Sequence, residues 1–193
     1  MAEFAHDHWV RLHRIANAEF DFRVRQILPE WWGASTPCEE WDVYDLVNHC
    51  VAESMWVPLL LQGHHPKSIG GLDGDLVEGD PVDVWEGARL DALDAVDDSS
   101  AGTEVHLVAG VTSAAEYIRQ RTVDMAVHAW DLARAITVDE SLDPELVEGV
   151  ATYVLPKADQ FVAGSLLFEP SVVSSPSADP FERVLNLLGR EAD

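Results

Sequence analysis

Residues 112–136 read TSAAEYIRQRTVDMAVHAWDLARAI, a stretch with apolar and polar residues in a regular order. Its apolar side chains recur at three- and four-residue spacing, which predicts an α-helix from about Thr112 to Ile136. At about 100° per residue, four polar residues fall within one narrow stripe of this helix, namely Tyr117, Asp124, His128 and Asp131. Apolar residues lie on both flanks of the stripe. This pattern predicts a buried helix whose polar stripe faces inward.

The same helical period appears three more times before residue 112. It predicts a first helix over residues 3–28, which Pro29 ends, and a second over residues 43–61, which Asp42 caps. A third helix is predicted over residues 82–96. Four long helices joined by loops indicate a mainly all-α protein built as an antiparallel four-helix bundle.

A short extended segment and a C-terminal extension complete the predicted fold. Residues 103–109 alternate in hydrophobicity, as is typical of a strand. Beyond the bundle, the pattern predicts a fifth helix within residues 142–163 and a last short helix over residues 181–188. We therefore expect two units: a metal-binding bundle, residues 1–137, and a small helical extension that packs on it, residues 138–193.

Composition and charge limit the class of protein. The 193 residues include 12 Lys and Arg against 35 Asp and Glu, a formal charge of −23. Such an acidic surface argues against binding to nucleic acid or to anionic membranes, because both depend on Lys and Arg. The sequence shows no secretory signal and no apolar run near the roughly 20 residues needed to cross a bilayer. With Cys38 and Cys50 as its only thiols, we expect a cytoplasmic protein with reduced cysteines.

The inward stripe contains a candidate pair of metal ligands, Asp124 and His128. Buried carboxylates and imidazoles are costly unless they pair with each other or with a metal. The second helix adds His49 at the edge of its buried face, with Glu53 one turn further along. Two imidazoles and one carboxylate would leave coordination positions open, as in catalytic zinc sites and some iron sites. Each residue alone is more often structural, and only the combination favours a metal.

Two spaced motifs resemble a known family. Residues 36–49 read TPCEEWDVYDLVNH, and residues 124–133 read DMAVHAWDLA. Together they resemble the DinB/YfiT-like bundle proteins, and in particular the actinobacterial branch related to mycothiol-dependent maleylpyruvate isomerase. The resemblance covers the four predicted helices, residues 1–137. It implies a four-helix bundle that holds a divalent metal at one end.

The resemblance also implies which residues hold the metal. They are the histidine that closes the first motif and the carboxylate and histidine of the second, which here are His49, Asp124 and His128. Zinc is the expected ion, with nickel or iron as alternatives. Asp124 replaces the glutamate expected of the isomerase itself, so the metal would lie closer to the helix or meet a different carboxylate geometry. The isomerase also carries a larger C-terminal domain, which contributes to its site.

The implied function is that of a divalent-metal-dependent isomerase or transferase that uses mycothiol and acts on a small-molecule substrate. A bound divalent cation lowers the pKa of a coordinated thiol or water, so a metal-dependent hydrolase is an alternative. A non-catalytic metal-binding or dimerisation bundle is another. Bundles of this type often pair, which makes a homodimer an expectation. The sequence assigns no catalytic residue.

Several polar residues near the proposed ligands have two interpretations. Tyr117 and Arg121 could orient a substrate anion, although packing and a surface ion pair are the commoner roles. Asp131 or Glu53 could accept the second imidazole proton of a ligand histidine. Cys38 has no base beside it in the sequence that would make it a nucleophile.

The remaining histidines are predicted to lie away from the site. Three of them belong to the first helix and are expected to face solvent: His6, His8 and His13. Residues 64–65 form a histidine pair in a Gly-rich loop, where they could bind adventitious metal. His106 is expected to be a solvent-exposed strand residue rather than part of the mouth of the site.

Overall fold

The protein is described by a computed structural model over residues 2–70, 72, 74–159, 172 and 178–192. The helices are α1 (Ala2–Val24), α2 (Val43–Leu61), α3 (Pro81–Asp97), α4 (Ala114–Ala135), α5 (Pro144–Val154) and α6 (Pro180–Leu187). Two strands follow α3, β1 (Glu104–Leu107) and β2 (Gly110–Ser113). Short 3-10 helices span Pro29–Trp31, Pro66–Ser68 and Leu155–Lys157.

The four bundle helices pack in two main pairs. α1 lies along α4, and α2 lies along α3, while α2 also contacts α4 and α1 also contacts α3. Large apolar side chains from all four helices are fully buried between them, including Phe20, Leu46, Trp85 and Ile118. The predicted all-α bundle is therefore confirmed. None of the helices among the described residues is long and apolar enough to cross a membrane.

Helix α4 is the most deeply buried element of the bundle. From Arg121 to Ala133, every residue except Asp124 is buried. His128 is 4% exposed and Asp131 is not exposed at all. The prediction that the polar stripe of this helix faces inward is therefore correct.

The predicted extended segment is one strand of a hairpin. β1 and β2 pair antiparallel, with Val105 opposite Thr112 and His106 opposite Val111. The second strand, β2, ends with Thr112 and Ser113, which the helical period had assigned to the start of the fourth helix. α4 begins two residues later than predicted, at Ala114, because the Ser113 side chain accepts from the backbone N–H of Glu116 and caps it there.

Helix α5 packs against α1 and α4 of the bundle and against α6. Asp143 caps α5, which gives way at Leu155 to the 3-10 turn that contains Pro156. The predicted end of the fifth helix, residues 160–163, lies outside the described residues. The division into two units at residue 137 stays a prediction.

A buried arginine ties the end of α1 to the connection between α4 and α5. Arg23 is 2% exposed, and its Nη1 donates to Glu19 Oε2 at 2.6 Å. Its Nη2 donates to the backbone carbonyls of Asp139 at 3.1 Å and Ser141 at 2.7 Å. One guanidinium therefore satisfies acceptors from two separate parts of the chain.

Two of the first-helix histidines are buried, so the prediction that they face solvent is wrong. His6 and His13 are each 2% exposed, whereas the side chain of His8 is 44% exposed. His6 Nε2 lies 3.2 Å from the Ser99 carbonyl oxygen, and His13 Nδ1 lies 3.4 Å from Thr122 Oγ1 on α4. Burial lowers the pKa of His13 to about 3, so this imidazole is neutral. Neighbouring elements cover α1 on more sides than its sequence pattern indicates.

Candidate metal centre

The structure brings the three predicted ligands together between α2 and α4. The ligand atoms of His49, Asp124 and His128 all lie within 4.8 Å of one another. His128 Nε2 is 3.5 Å from Asp124 Oδ1, and His49 Nε2 is 4.0 Å from Asp124 Oδ2. Each carboxylate oxygen therefore faces one imidazole.

Local sequence explains how these side chains reach one place. Asp124 and His128 are four residues apart on α4 and so share one face of the helix. On α2, a capping box between Asp42 and Asp45 fixes the first turn. His49 follows one turn later, beside fully buried neighbours that hold this side of α2 against the core.

Trp41 adds an aromatic wall that the sequence reasoning missed. Its ring centroid lies 4.7 Å from that of His49 and 6.2 Å from that of His128. The two imidazole rings are nearly perpendicular to each other, with centroids 5.1 Å apart and an angle of 75° between the planes. Trp41 therefore restricts the orientation of both rings.

His49 is a neutral imidazole near neutral pH. Burial, helped by the nearby charges of His128 and Arg121, lowers its pKa to about 4 against the opposing effect of Asp124. A neutral imidazole offers a nitrogen lone pair, which is what a metal ligand requires.

His128 and Asp124 form a charged pair. Burial by itself would lower the pKa of His128, but the Asp124 carboxylate and hydrogen bonds to Asp124 and Asp131 raise that pKa well above 6.5. Burial would likewise raise the pKa of Asp124, but His128 and Arg121 hold it below 3.8. A metal at this position would therefore have to displace a proton from His128.

Arg121 forms ion pairs with two carboxylates. Its Nη1 lies 3.0 Å from Asp124 Oδ2 and 2.8 Å from Glu53 Oε2, and its side chain is 9% exposed. The pair with Glu53 joins α2 and α4, and its arginine is buried, unlike the predicted surface pair, although the Glu53 side chain is 34% exposed. The positive charge of Arg121 is therefore already balanced. Glu53 consequently bonds to Arg121 and not to a ligand histidine.

Asp131 occupies the position expected of the group that accepts the second imidazole proton. Its Oδ2 is 3.0 Å from His128 Nδ1. Arg190, from the segment after α6, donates to both carboxylate oxygens, from Nε to Oδ1 at 3.2 Å and from Nη2 to Oδ2 at 2.8 Å. The bond to Asp131 leaves His128 Nε2 directed towards Asp124.

Cys38 also belongs to this network, which the sequence reasoning did not find. Its Sγ donates to Asp131 Oδ2 at 3.3 Å and accepts from Arg190 Nη2 at 3.1 Å. Cys38, His128 and Asp131 are close enough to form a second candidate set of metal ligands. Arg190 already places a positive charge against two members of that set, so we interpret it as a hydrogen-bond network.

Tyr117 and His106 are not brought into the ligand set. Tyr117 is 4% exposed, and its hydroxyl has no hydrogen-bond partner among the described residues. His106 lies beside Glu104 at 3.6 Å and stacks near His65, with 5.7 Å between ring centroids. Both residues stay without an assigned role.

The donor set fits a divalent ion. Two nitrogen donors and one carboxylate oxygen are an established combination for catalytic zinc. Two ligands held about 2.1 Å from one zinc at a tetrahedral angle lie roughly 3.4 Å apart. The separation of His128 Nε2 from Asp124 Oδ1, 3.5 Å, matches this value, and His49 Nε2 lies 4.0 Å from the other carboxylate oxygen. Exposure also differs across the set, since the His49 side chain is 29% exposed and that of His128 only 6%. Solvent therefore reaches the centre from the His49 side.

Comparison with known proteins agrees with this picture of the fold. Two uncharacterized proteins from strains of Mycobacterium tuberculosis are each 27% identical to this chain over 192 residues, which covers 92% of this chain and 95% of theirs. A crystal structure of the mycothiol-dependent maleylpyruvate isomerase superimposes with a TM-score of 0.62 at 14% identity, covering 81% of this chain and 72% of that one. A histidine-to-alanine mutant of the same enzyme gives a TM-score of 0.64 at 14% identity, covering 83% and 73%.

The family assignment rests on the sequence model that the chain matches. That model describes the mycothiol maleylpyruvate isomerase N-terminal domain, and it matches residues 13–133. The matched range covers most of the chain and includes both motifs, with His49 in one and Asp124 and His128 in the other. The chain therefore belongs to the mycothiol maleylpyruvate isomerase N-terminal domain family.

Proposed function

We propose that this protein is a divalent-metal-dependent enzyme that uses mycothiol in an isomerisation or group transfer on a small molecule. The observation that carries the proposal is the convergence of two imidazoles and one carboxylate, from His49, His128 and Asp124, within 4.8 Å. Membership of a family named for a mycothiol-using isomerase supports the choice of thiol. Zinc is the proposed ion, with nickel or iron as alternatives.

The proposed ligands each contribute a definite donor. His49 and His128 would supply nitrogens and Asp124 an oxygen, which leaves room for at least one further ligand. When bound there, a divalent ion lowers the pKa of a coordinated thiol, so that the nucleophile is an anion near neutral pH.

Neighbouring residues hold this donor set in place. Arg121 holds Asp124 Oδ2 at 3.0 Å, Asp131 holds the Nδ1 side of His128 at 3.0 Å, and Trp41 packs against both imidazoles. Such outer contacts orient metal ligands and tune their basicity. Because solvent reaches the centre from the His49 side, we place the entry of thiol and substrate there.

The first experiment tests the ligand set. Elemental analysis of the purified protein should find about one divalent ion per chain, and His49→Ala and His128→Ala should each lose most of it. His106→Ala is the matched control, because His106 contacts Glu104 and His65 rather than the centre. Unchanged metal content in both ligand variants would refute the proposed site.

The second experiment tests the thiol. Titration of the cobalt-loaded protein with mycothiol should change the visible ligand-field spectrum, since a sulfur donor alters the coordination of the ion. Metal binding with no spectral response to millimolar mycothiol would favour the non-catalytic bundle or the hydrolase. A cytoplasmic location, a homodimer and a unit boundary at residue 137 remain predictions.

A further inference from the structure

A charged side chain from the C-terminal segment reaches the rear of the proposed metal centre. Arg190 follows α6, 59 residues after Asp131, and both side chains are buried, at 4% and 0% exposure. The guanidinium contacts Asp131 through two N–H groups, one to each carboxylate oxygen. Asp131 in turn accepts from His128 Nδ1 at 3.0 Å.

The chemistry of this contact favours orientation over simple charge balance. A guanidinium that engages both oxygens of a carboxylate fixes its plane, whereas a single ammonium would balance its charge without fixing it. Asp131 Oδ2 also accepts from the Cys38 thiol at 3.3 Å. With both oxygens engaged, the carboxylate has little freedom to rotate away from the imidazole.

We propose that Arg190 is a positioning residue for His128. By fixing the Asp131 carboxylate, it holds the His128 ring with Nδ1 as donor and Nε2 towards Asp124. The effect on metal affinity rests on the proposed function, but the effect on ring orientation does not. On this proposal, the C-terminal segment forms part of the site.

The competing explanation is that Arg190 only anchors the end of the chain. Other contacts already perform that task, since Arg134 Nη1 donates to the Glu191 carbonyl at 2.6 Å, and the Arg190 backbone N–H donates to the Leu185 carbonyl at 2.9 Å. Arg134 also stacks on Trp130, with 4.5 Å from its guanidinium carbon to the ring centroid. Replacing Arg134 therefore provides a control, because it loosens the segment after α6 but leaves the Arg190–Asp131 pair intact.

The test compares Arg190→Met, Arg190→Lys and Arg134→Met. In metal-free protein, the proton on His128 Nδ1 should give a downfield, slowly exchanging NMR signal because it is buried and bonded to a carboxylate. Arg190→Met should abolish or shift this signal and weaken cobalt binding about tenfold, the lower end of the usual cost of losing an outer contact. Arg190→Lys should restore little of either, since it keeps the charge but not the two-point contact. Arg134→Met should leave both unchanged.

Several results would overturn the proposal. An unchanged proton signal in folded Arg190→Met would overturn the proposal, and so would an equal effect of Arg134→Met. Tighter cobalt binding by Arg190→Met would also overturn it, because Arg190 would then act as an opposing charge. If Arg190→Met fails to fold, the Lys variant decides the question by the same signal. If the natural protein binds no cobalt, the proposed function fails, while the NMR comparison still decides the role of Arg190.

Discussion

Adding a divalent metal to the metal-free protein at about pH 7 should release close to one proton per ion. His49 contributes none, because its pKa is lowered to about 4 and the ring is already neutral. Asp124 contributes none, because its pKa lies below 3.8. His128 is the remaining ligand, and its pKa is raised well above 6.5, so its proton must leave when a metal takes its Nε2.

The number of protons released sets how steeply the metal affinity depends on pH. Below the pKa of His128, each added pH unit should strengthen metal binding about tenfold, or roughly 1.4 kcal/mol, because one proton competes for the site. Above that pKa the dependence should disappear. Below about pH 4, where His49 also becomes protonated, the dependence should steepen to about a hundredfold per unit, because two protons then compete.

Isothermal titration calorimetry in two buffers of different protonation enthalpy measures the number of protons released. Each released proton is taken up by the buffer and adds that buffer's protonation enthalpy to the measured heat. The difference between the two apparent binding enthalpies, divided by the difference between the two protonation enthalpies, therefore gives the number of protons released. His106→Ala should release the same number as the natural protein. A count near zero would mean that His128 is already neutral, and a count near two would mean that His49 is protonated as well. Either result would contradict the charge state derived from the structure.

Four further predictions concern the core and the edges of the site. Asp131→Ala should weaken metal binding by about 10- to 100-fold, measured by competition with a chelator. Gly149→Ala should lower the free energy of unfolding, measured in urea, by about 1–3 kcal/mol, because its new Cβ would clash with the buried Leu12 side chain. Gly87→Ala is the control: its Cβ would enter open space, so this variant should raise the free energy of unfolding by up to about 1 kcal/mol. Arg23→Met should cost about 3 kcal/mol in the same assay, because it leaves buried acceptors unpaired, whereas Arg25→Met at an exposed pair should cost less than about 1 kcal/mol. In metal-free protein, the charged pair should stabilise the fold most between about pH 4 and 6.5: the lowered pKa of Asp124 removes its contribution as the pH falls below 3.8, and the raised pKa of His128 removes its contribution as the pH rises above 6.5. A contribution of this pair that did not decline below pH 3.8 or above pH 6.5 would contradict the last of these predictions.

The sequence was sufficient to predict the parts of the site that one helix carries. Asp124, His128 and Asp131 share a stripe of α4 because their spacing matches the helical period, and a period is visible in sequence alone. His49 lies on another helix, and the motif resemblance rather than periodicity joined it to the other two. The hairpin strand β2 was missed because four residues are too few to show an alternating pattern.

Residues that reach the site through tertiary packing could not be predicted in the same way. Cys38 forms hydrogen bonds with Asp131, which lies 93 positions further along the chain, and with Arg190, which lies 152 positions further. Nothing in its own segment indicates either partner. His6 and His13 look like surface residues because their burial depends on Ser99 and on α4 rather than on the pattern of α1.

The charges around the proposed centre alternate in sign along one continuous chain of contacts. In order, the groups are Glu53, Arg121, Asp124, His128, Asp131 and Arg190, and each neighbouring pair lies within 3.5 Å. With His128 protonated, three positive groups balance three negative ones, which explains how so many ionised side chains are tolerated in a buried region. A divalent ion that replaces the His128 proton would leave one excess positive charge. An anionic ligand such as a thiolate or a hydroxide would restore the balance, whereas a neutral thiol or water would not, and this favours a centre that binds an anion over a purely structural ion.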